Sequence, residues 1–410
     1  LPTTLHENKS KDSPDDGLGS LVNKITTYLG SGQKLSTLIV MTAEDVEVRI
    51  ADRRAVEAAL NVACFSRENS PDLTTYFKFL LNRGASATPM TGVIPYEWYA
   101  RDKISLCRAS EYNIEHLLIL WIKASDYQGQ TLAGIHRLLE MIHPANHQRL
   151  NVKIIGPHNS SEFLSILKEI ESKVVNALKS QSNGSRSILN YGKMELYSPW
   201  VTAMPGLLSY GLKDPDGHLC DSYAACDKVF YQLLEAGGLD LVHAINNDAV
   251  LVDALLMELQ RRRVTVGNHS IALISNWDSI YAKSLRLTFS EAVCNNSYRW
   301  WGSNLGGSES CLNWLQGLHP LKKTGISPED FVTHHSYTSA NAEYDKEALI
   351  SNIKRSKPRA IGILGTAPKD TLLILQVLKK EFPGVLFFTT NLDFVYLQNS
   401  EQKQSRNLIV

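Results

Sequence analysis

The 410-residue sequence predicts an α/β protein built as two Rossmann-like lobes, each a parallel sheet flanked by helices. Three observations lead there. Short apolar runs of strand length, such as Leu117–Ile122, alternate along the chain with stretches of helical period, such as Phe163, Leu167, Ile170, Val174 and Leu178. These strand–helix units fall into two clusters, about 36–180 and 264–390, joined by a mostly helical middle. The strands are apolar on both faces, which is the pattern of a parallel sheet covered by helices on either side.

Taken in order, residues 1–35 read as a flexible polar arm with a short helix at Leu21–Leu29, because the arm has too few apolar anchors to offset its ordering entropy. The first lobe is expected over 36–245. It opens on a strand at Leu38–Met41, followed by a helix over the Ala-rich segment Ala51–Phe65. Residues 66–114 carry Pro71, Pro89 and Pro95 and little periodicity, so they are expected as an irregular insertion. The strand Leu117–Ile122, a helix through Met141 and the strand Val152–Ile155 follow, and after Gly156-Pro157-His158-Asn159 comes the long amphipathic helix. Turns are expected over 181–219, then helices at Tyr223–Glu235 and Ala249–Arg262.

The second lobe, 246–410, reads as the strand Ile271–Ser275, the helix Ile280–Val293, the strand Ala360–Leu364, the helix Asp370–Phe382 and the strand Val385–Thr389. Leu408-Ile409-Val410 has the look of one more strand beginning. Residues 295–335, rich in Asn, Ser, Gly and Trp, are expected as an inserted surface excursion.

Composition excludes several classes. Forty-two basic residues balance 42 acidic ones, so there is no overall field to gather a polyanion, and no nucleic-acid partner is expected. The one basic cluster, Arg261-Arg262-Arg263, follows an apolar helix and suits its negative C-terminal end. No apolar run approaches the roughly 18–20 residues of a membrane span. The six cysteines form no C-x-x-C pair and read as buried thiols, with a Cys294–Cys311 pairing open in an oxidising compartment. The compartment stays open.

No phosphate loop, dinucleotide fingerprint, nucleophile elbow or zinc-protease helix is present, so no catalytic residue is assigned and a non-enzymatic role is favoured. Histidine spacings give no metal set: Pro144 interrupts His143 and His147, and adjacent His334 and His335 point to opposite faces of a strand. No metal and no cofactor is expected.

Ligand residues are sought at the carboxyl ends of the strands, where parallel α/β sheets place their sites. Thr42, Glu44 and Asp45 end the first strand; Asp45 is either a partner for a ligand amine or part of a solvated loop. Asn159, Ser160 and Ser161 open a helix with Glu162 three residues after Asn159, either as a capping box alone or as a site for a carboxylate. Trp277, Asp278 and Tyr281 join aromatic surface to a carboxylate, for an amine- or ring-bearing ligand or for core packing. Thr366 caps the helix after Leu364 and is a further candidate, with Thr389, Thr390, Asn391 and Asp393 as weaker ones.

Three segments together resemble the type I periplasmic-binding-protein family, which includes branched-chain amino-acid receptors and related ligand-sensing domains. They are Gly156-Pro157-His158-Asn159-Ser160-Ser161 after a strand, Ile271–Ser275 followed by Trp277-Asp278-Ser279-Ile280-Tyr281, and Arg359–Leu364 followed by Gly365-Thr366. The likeness spans about 36–397 and also resembles a region of large bacterial proteins of unknown function. It implies a small polar ligand, such as an amino acid or carboxylate, held between two lobes by hydroxyls at a helix start, here Ser160 and Ser161. The stretches 66–114 and 295–335 depart from the family pattern.

Two roles follow. One is a ligand sensor that signals through lobe movement. The other is a protein-interaction module on the same fold with a degenerate cleft, binding a protein partner through 66–114 or 295–335; the Trp300-Trp301 pair favours it.

Overall fold

The computed structural model describes residues 16–42, 46–68, 75–81, 90–102, 114–127, 129–143, 151–179, 194–220, 223–264, 271–276, 280–301, 332–337, 345–364, 368–390, 393–398 and 402–410. The chain divides into two compact units. Unit 1 takes residues 1–158, 165–200 and 232–244; unit 2 takes 159–164, 201–231 and 245–410.

Unit 1 is organised on a sheet in the order β2-β4-β5-β1-β6-β7-β8, with β3 paired to β4. β1 (Leu35–Thr42), β5 (His116–Lys123), β6 (Asn151–Ile155), β7 (Met194–Ser198) and β8 (Leu239–His243) run parallel. β1 and β5 are the apolar runs of the sequence, and both are buried along nearly their whole length, as strands covered on both faces must be. Helices α1 (Asp16–Gly30), α2 (Val46–Val62), α3 (Thr131–Ile142) and α4 (Ser160–Lys179) follow the apolar periodicities. Phe163, Leu167, Ile170 and Val174 form the buried stripe of α4. Leu21 and Ile25 anchor α1, whose Lys24 lies 4.5 Å from the Trp98 ring centre.

The expectation of an irregular insertion at 66–114 is corrected. It contains β2 (Phe65–Arg67), β3 (Thr75–Leu81) and β4 (Met90–Arg101), which extend the sheet antiparallel, so this sheet is mixed. Pro95, read as a breaker, stands within β4 opposite Tyr76. The helix expected at Ala51–Phe65 also shifts: it begins at Val46 and ends at Val62, because Cys64 takes a left-handed φ of 63° and Phe65 enters β2.

Unit 2 carries a parallel sheet in the order β10-β9-β11-β12-β13. Its strands are β9 (Ile271–Asn276), β10 (Val332–Tyr337), β11 (Ala360–Leu364), β12 (Leu386–Thr389) and β13 (Leu408–Ile409). β11 is buried throughout. Gly362 is required there, since a β-carbon would come within 2.4 Å of the Phe388 ring, which itself stacks on Phe289. Short α5 (Pro205–Leu208), then α6 (Tyr223–Ala236), α7 (Asp248–Arg261), α8 (Ile280–Trp301), α9 (Asp345–Ser356), α10 (Pro368–Glu381) and α11 (Gln402–Ser405) complete the described helices. Val252, Leu255, Leu256 and Leu259 of α7 pack with Leu285 and Phe289 of α8 in one core cluster. Arg261 and Arg262 sit at the C-terminal end of α7 and turn back onto Glu258.

The excursion expected at 295–335 is shortened at both ends: α8 runs to Trp301 and β10 starts at Val332. Residues 302–331 lie outside the described residues, as do the side chains of Trp300 and Trp301.

The reading of the cysteines as thiols is also corrected. Cys220 and Cys226 form a disulfide with their Cα atoms 5.0 Å apart, and Cys64 is disulfide-bonded as well. Cys220 closes the turn region and Cys226 lies in the first turn of α6, so a six-residue spacing brings together a pair that no C-x-x-C search detects. Cys294 is in α8 and Cys311 lies outside the described residues.

Candidate functional site

The β6–α4 loop is built to hold a fixed path. Gly156 has φ +137°, and a β-carbon there would meet the Met41 side chain at 2.6 Å, so only glycine fits. His158 follows, its Nε2 2.8 Å from Asp52 Oδ2 of α2 and its ring stacked on Trp200 at 4.1 Å. The Glu162 amide donates to Asn159 Oδ1 at 2.9 Å, and Asn159 Nδ2 donates to Glu162 Oε1 at 2.9 Å. Asn159 is therefore occupied in capping α4. Ser160, the first residue of the helix, is 3% exposed, whereas Ser161 is exposed.

Thr42, at the end of β1, is buried with its hydroxyl donating to the Ile122 carbonyl at 3.1 Å, a bond across the sheet. Glu44, Asp45, Trp277, Asp278, Thr366 and Asn391 lie outside the described residues. Thr389 is buried at the end of β12, and Asp393 accepts the Val395 amide at 2.8 Å, capping a short 3₁₀ turn. Of the candidates read from the sequence, the structure brings Tyr281 and Thr390 together.

They meet at the start of α7, around a residue that sequence reasoning missed. Asp248 is the first residue of that helix, and its amide donates to the Thr202 carbonyl at 2.9 Å. Its carboxylate is 2% exposed. Tyr281, in the first turn of α8, donates its hydroxyl to Asp248 Oδ1 over a long 3.4 Å. Oδ2 has no hydrogen-bond partner among the described residues, nor has the buried Oδ1 of Asn247, the N-cap residue, which makes no side-chain capping bond. Thr390, just past β12, acts on the Tyr281 hydroxyl, yet its buried Oγ1 makes no hydrogen bond of good geometry.

The electrostatics follow from that inventory. Burial pushes the Asp248 carboxyl up to about 6, and hydrogen bonding from Thr202 and Tyr281 only partly offsets it. Burial and the neighbouring Asp248 charge hold the Tyr281 hydroxyl well above its ordinary range, so it stays a donor. Asp248 Oδ2, Asn247 Oδ1 and Thr390 Oγ1 are each buried and without a hydrogen bond of good geometry among the described residues. Burying polar atoms without partners costs on the order of 1–3 kcal/mol each, more for a charge, so an arrangement of this kind calls for a donor from outside. The sequence signal that locates Asp248 is Asn246-Asn247-Asp248 ahead of an apolar helix and directly after Leu239–His243, a strand that is easily passed over because only Leu239 of it is buried.

A second polar group stands apart in the 213–219 turn. Asp214, Asp216 and His218 bring their ligand atoms within 4.8 Å of one another. Asp214 Oδ1 is already accepting the amides of Asp216 and His218, which shapes the turn. Cys220, just beyond this turn, is held in its disulfide with Cys226.

No family model and no curated protein matches the chain. Solved structures similar to it include the leucine-binding protein from Thermotoga maritima, 12% identical at a TM-score of 0.40, covering 87% of this chain and 63% of that one. The leucine-, isoleucine-, valine-, threonine- and alanine-binding protein from Brucella ovis is 11% identical at a TM-score of 0.41, covering 87% and 60%. An ABC transporter substrate-binding protein from Desulfitobacterium hafniense is 11% identical at 0.40, covering 87% and 66%. The chain thus spans less than two thirds of the length of these proteins. A periplasmic binding protein from Burkholderia mallei is 10% identical at a TM-score of 0.42, covering 91% of this chain and 65% of that one. No helix among the described residues is long and apolar enough to cross a membrane.

Proposed function

We propose that the chain is a non-enzymatic ligand-binding protein whose ligand is a small polar molecule bearing a protonated amine, such as an amino acid, and that Asp248 receives that amine. The observation that carries this reading is the buried Asp248 carboxylate with one oxygen unmet, beside the equally unmet Asn247 Oδ1 and Thr390 Oγ1. An ammonium group brings donors and one positive charge, which suits the unmet carboxylate oxygen in sign and in hydrogen-bonding role. A neutral hydroxyl satisfies one acceptor and leaves the charge alone; an anion is repelled. Tyr281, kept protonated, fixes the carboxylate's other oxygen.

The α4 start is the second part of the reading. Ser160 and the N-terminal end of that helix favour a carboxylate by their partial positive charge, as the start of any long helix does. Signalling through movement of one unit against the other extends the reading from binding to sensing.

The test is a thermal-shift comparison at pH 7.5 of L-amino acids with the matching carboxylates that lack the amine. Amino acids are expected to stabilise the chain, by about 2.7 kcal/mol at 100 times Kd, and their deaminated counterparts to do little. Equal stabilisation by both sets defeats the assignment of Asp248.

A protein-interaction role has one observation in its favour. Tyr76 and Val93, on paired strands β3 and β4 within 66–114, are 56% and 52% exposed. Single exposed apolar residues are ordinary, but a pair on one hairpin is a place for a partner to rest. Replacing both with Ser leaves ligand stabilisation intact under the first role and abolishes partner capture under the second.

A further inference from the structure

Resting on the amine reading above, we propose that ligand uptake at Asp248 expels a proton, so that the chain holds an amine at neutral pH and releases it in mildly acidic surroundings.

The argument begins with what surrounds the carboxyl group. On its own helix, Asn247 is uncharged. From the segment after β7 comes Thr202, from α8 Tyr281, and from the segment after β12 Thr390, acting through Tyr281. None of these carries a positive charge. Asp248 is 2% exposed, and among the described residues its carboxylate pairs with no cation and its Oδ2 has no donor of good geometry, so it is poorly solvated and the neutral acid is correspondingly favoured. This fits the direction and size of its displacement, to about 6. Tyr281 does not compete for the proton, because its own hydroxyl is held above the ordinary tyrosine range.

An incoming ammonium reverses the balance. It supplies the missing charge and donors, favours the ionised carboxylate, and leaves the acid's proton to go to solvent: the neutral acid and the ammonium ion become an ion pair plus one hydrated proton. Binding and proton release are then linked. Above pH 6 the site is already ionised and affinity is nearly independent of pH; below it each unit of acidification opposes binding by up to tenfold. A carboxylate already paired with a resident cation has no such window, because its proton is gone at any pH in question.

The experiment is a thermal-shift titration of the whole chain with a pool of the neutral common L-amino acids, whose ammonium and carboxylate groups keep their charge across the range, at pH 7.5 and pH 5. The half-maximal concentration is expected to rise about tenfold at pH 5. An equal half-maximal concentration at both pH values overturns the proton coupling and leaves the amine reading standing. No shift at either pH overturns the amine reading and the coupling with it. The Asp248→Asn chain is the companion variant. It is expected to be at least as stable as the unaltered chain at pH 7.5 without ligand, and to lose the pool's stabilisation; a variant that keeps the tenfold pH effect overturns the assignment to Asp248.

Discussion

Two buried carboxylates, one in each unit, share nearly the same burial and have opposite surroundings. Glu97 in β4 is 1% exposed and Asp248 at the head of α7 is 2% exposed. Glu97 Oε1 pairs with Arg53 of α2 and lies 3.5 Å from Arg67 of β2, while its Oε2 accepts the Tyr99 hydroxyl at 2.9 Å. Asp248 has a long bond from Tyr281 and a weaker approach from the Thr202 side chain, and its Oδ2 makes no hydrogen bond of good geometry among the described residues. Burial alone does not mark a functional group; what separates the two is whether the fold supplies the counter-charge. Glu97 has its counter-charges and joins α2 to the antiparallel edge, whereas Asp248 pairs with no cation among the described residues.

The sharpest way to break the comparison is to remove Glu97. Glu97→Ala removes the anion that Arg53 and Arg67 share, and a loss of about 3–5 kcal/mol is expected in denaturant unfolding. A loss under 1 kcal/mol makes the two carboxylates alike. Asp248→Asn is expected to go the other way. Its folded-state carboxyl sits at about 6, above the ordinary 3.8, so the folded chain binds more protons than the unfolded one between those values. Stability accordingly falls as pH rises through that window, by on the order of 3 kcal/mol once complete. The variant is expected to lack this fall, which unfolding curves at pH 4.5 and 7.5 measure.

A third buried carboxylate sharpens the point by being satisfied without an opposing helix charge alone. Glu169 of α4 accepts the amides of Leu132 and Ala133 at 2.9 and 2.8 Å, capping α3, whose own N-cap Gln130 makes no capping bond, and takes Lys173 at 2.7 Å. Glu169→Ala is expected to cost about 1–3 kcal/mol, since it leaves those amides bare. The smallest effect belongs to Asn159→Ala, which removes a solvent-exposed cap of α4 for about 1 kcal/mol. A much larger effect there assigns the β6–α4 loop a role beyond capping.

Much of the parallel framework was legible because its strands are uninterrupted apolar runs: Leu38–Met41 lies within β1, Leu117–Ile122 within β5 and Ile271–Ser275 within β9. What escaped has physical causes. β8 is largely exposed and shows no apolar run, and β3 and β4 were masked by prolines that strands of this kind tolerate. The Cys220–Cys226 bond is formed where the chain turns into α6, a geometry that spacing alone does not disclose. At the candidate site, Tyr281 could be named from its place after β9, but Asp248 could not. An Asp at a helix start reads as an ordinary cap, and only the packed structure reveals that its carboxylate is enclosed and left unmet.

The most direct measurement is the titration of Asp248 itself, by carboxyl-carbon nuclear magnetic resonance of the labelled chain with Asp248→Asn as the assignment control, without and with the neutral amino-acid pool. A midpoint near 6 that falls well below that value when the pool is added is the result expected of a buried carboxylate completed by an amine. A midpoint in the ordinary aspartate range, unmoved by the pool, contradicts the central claim.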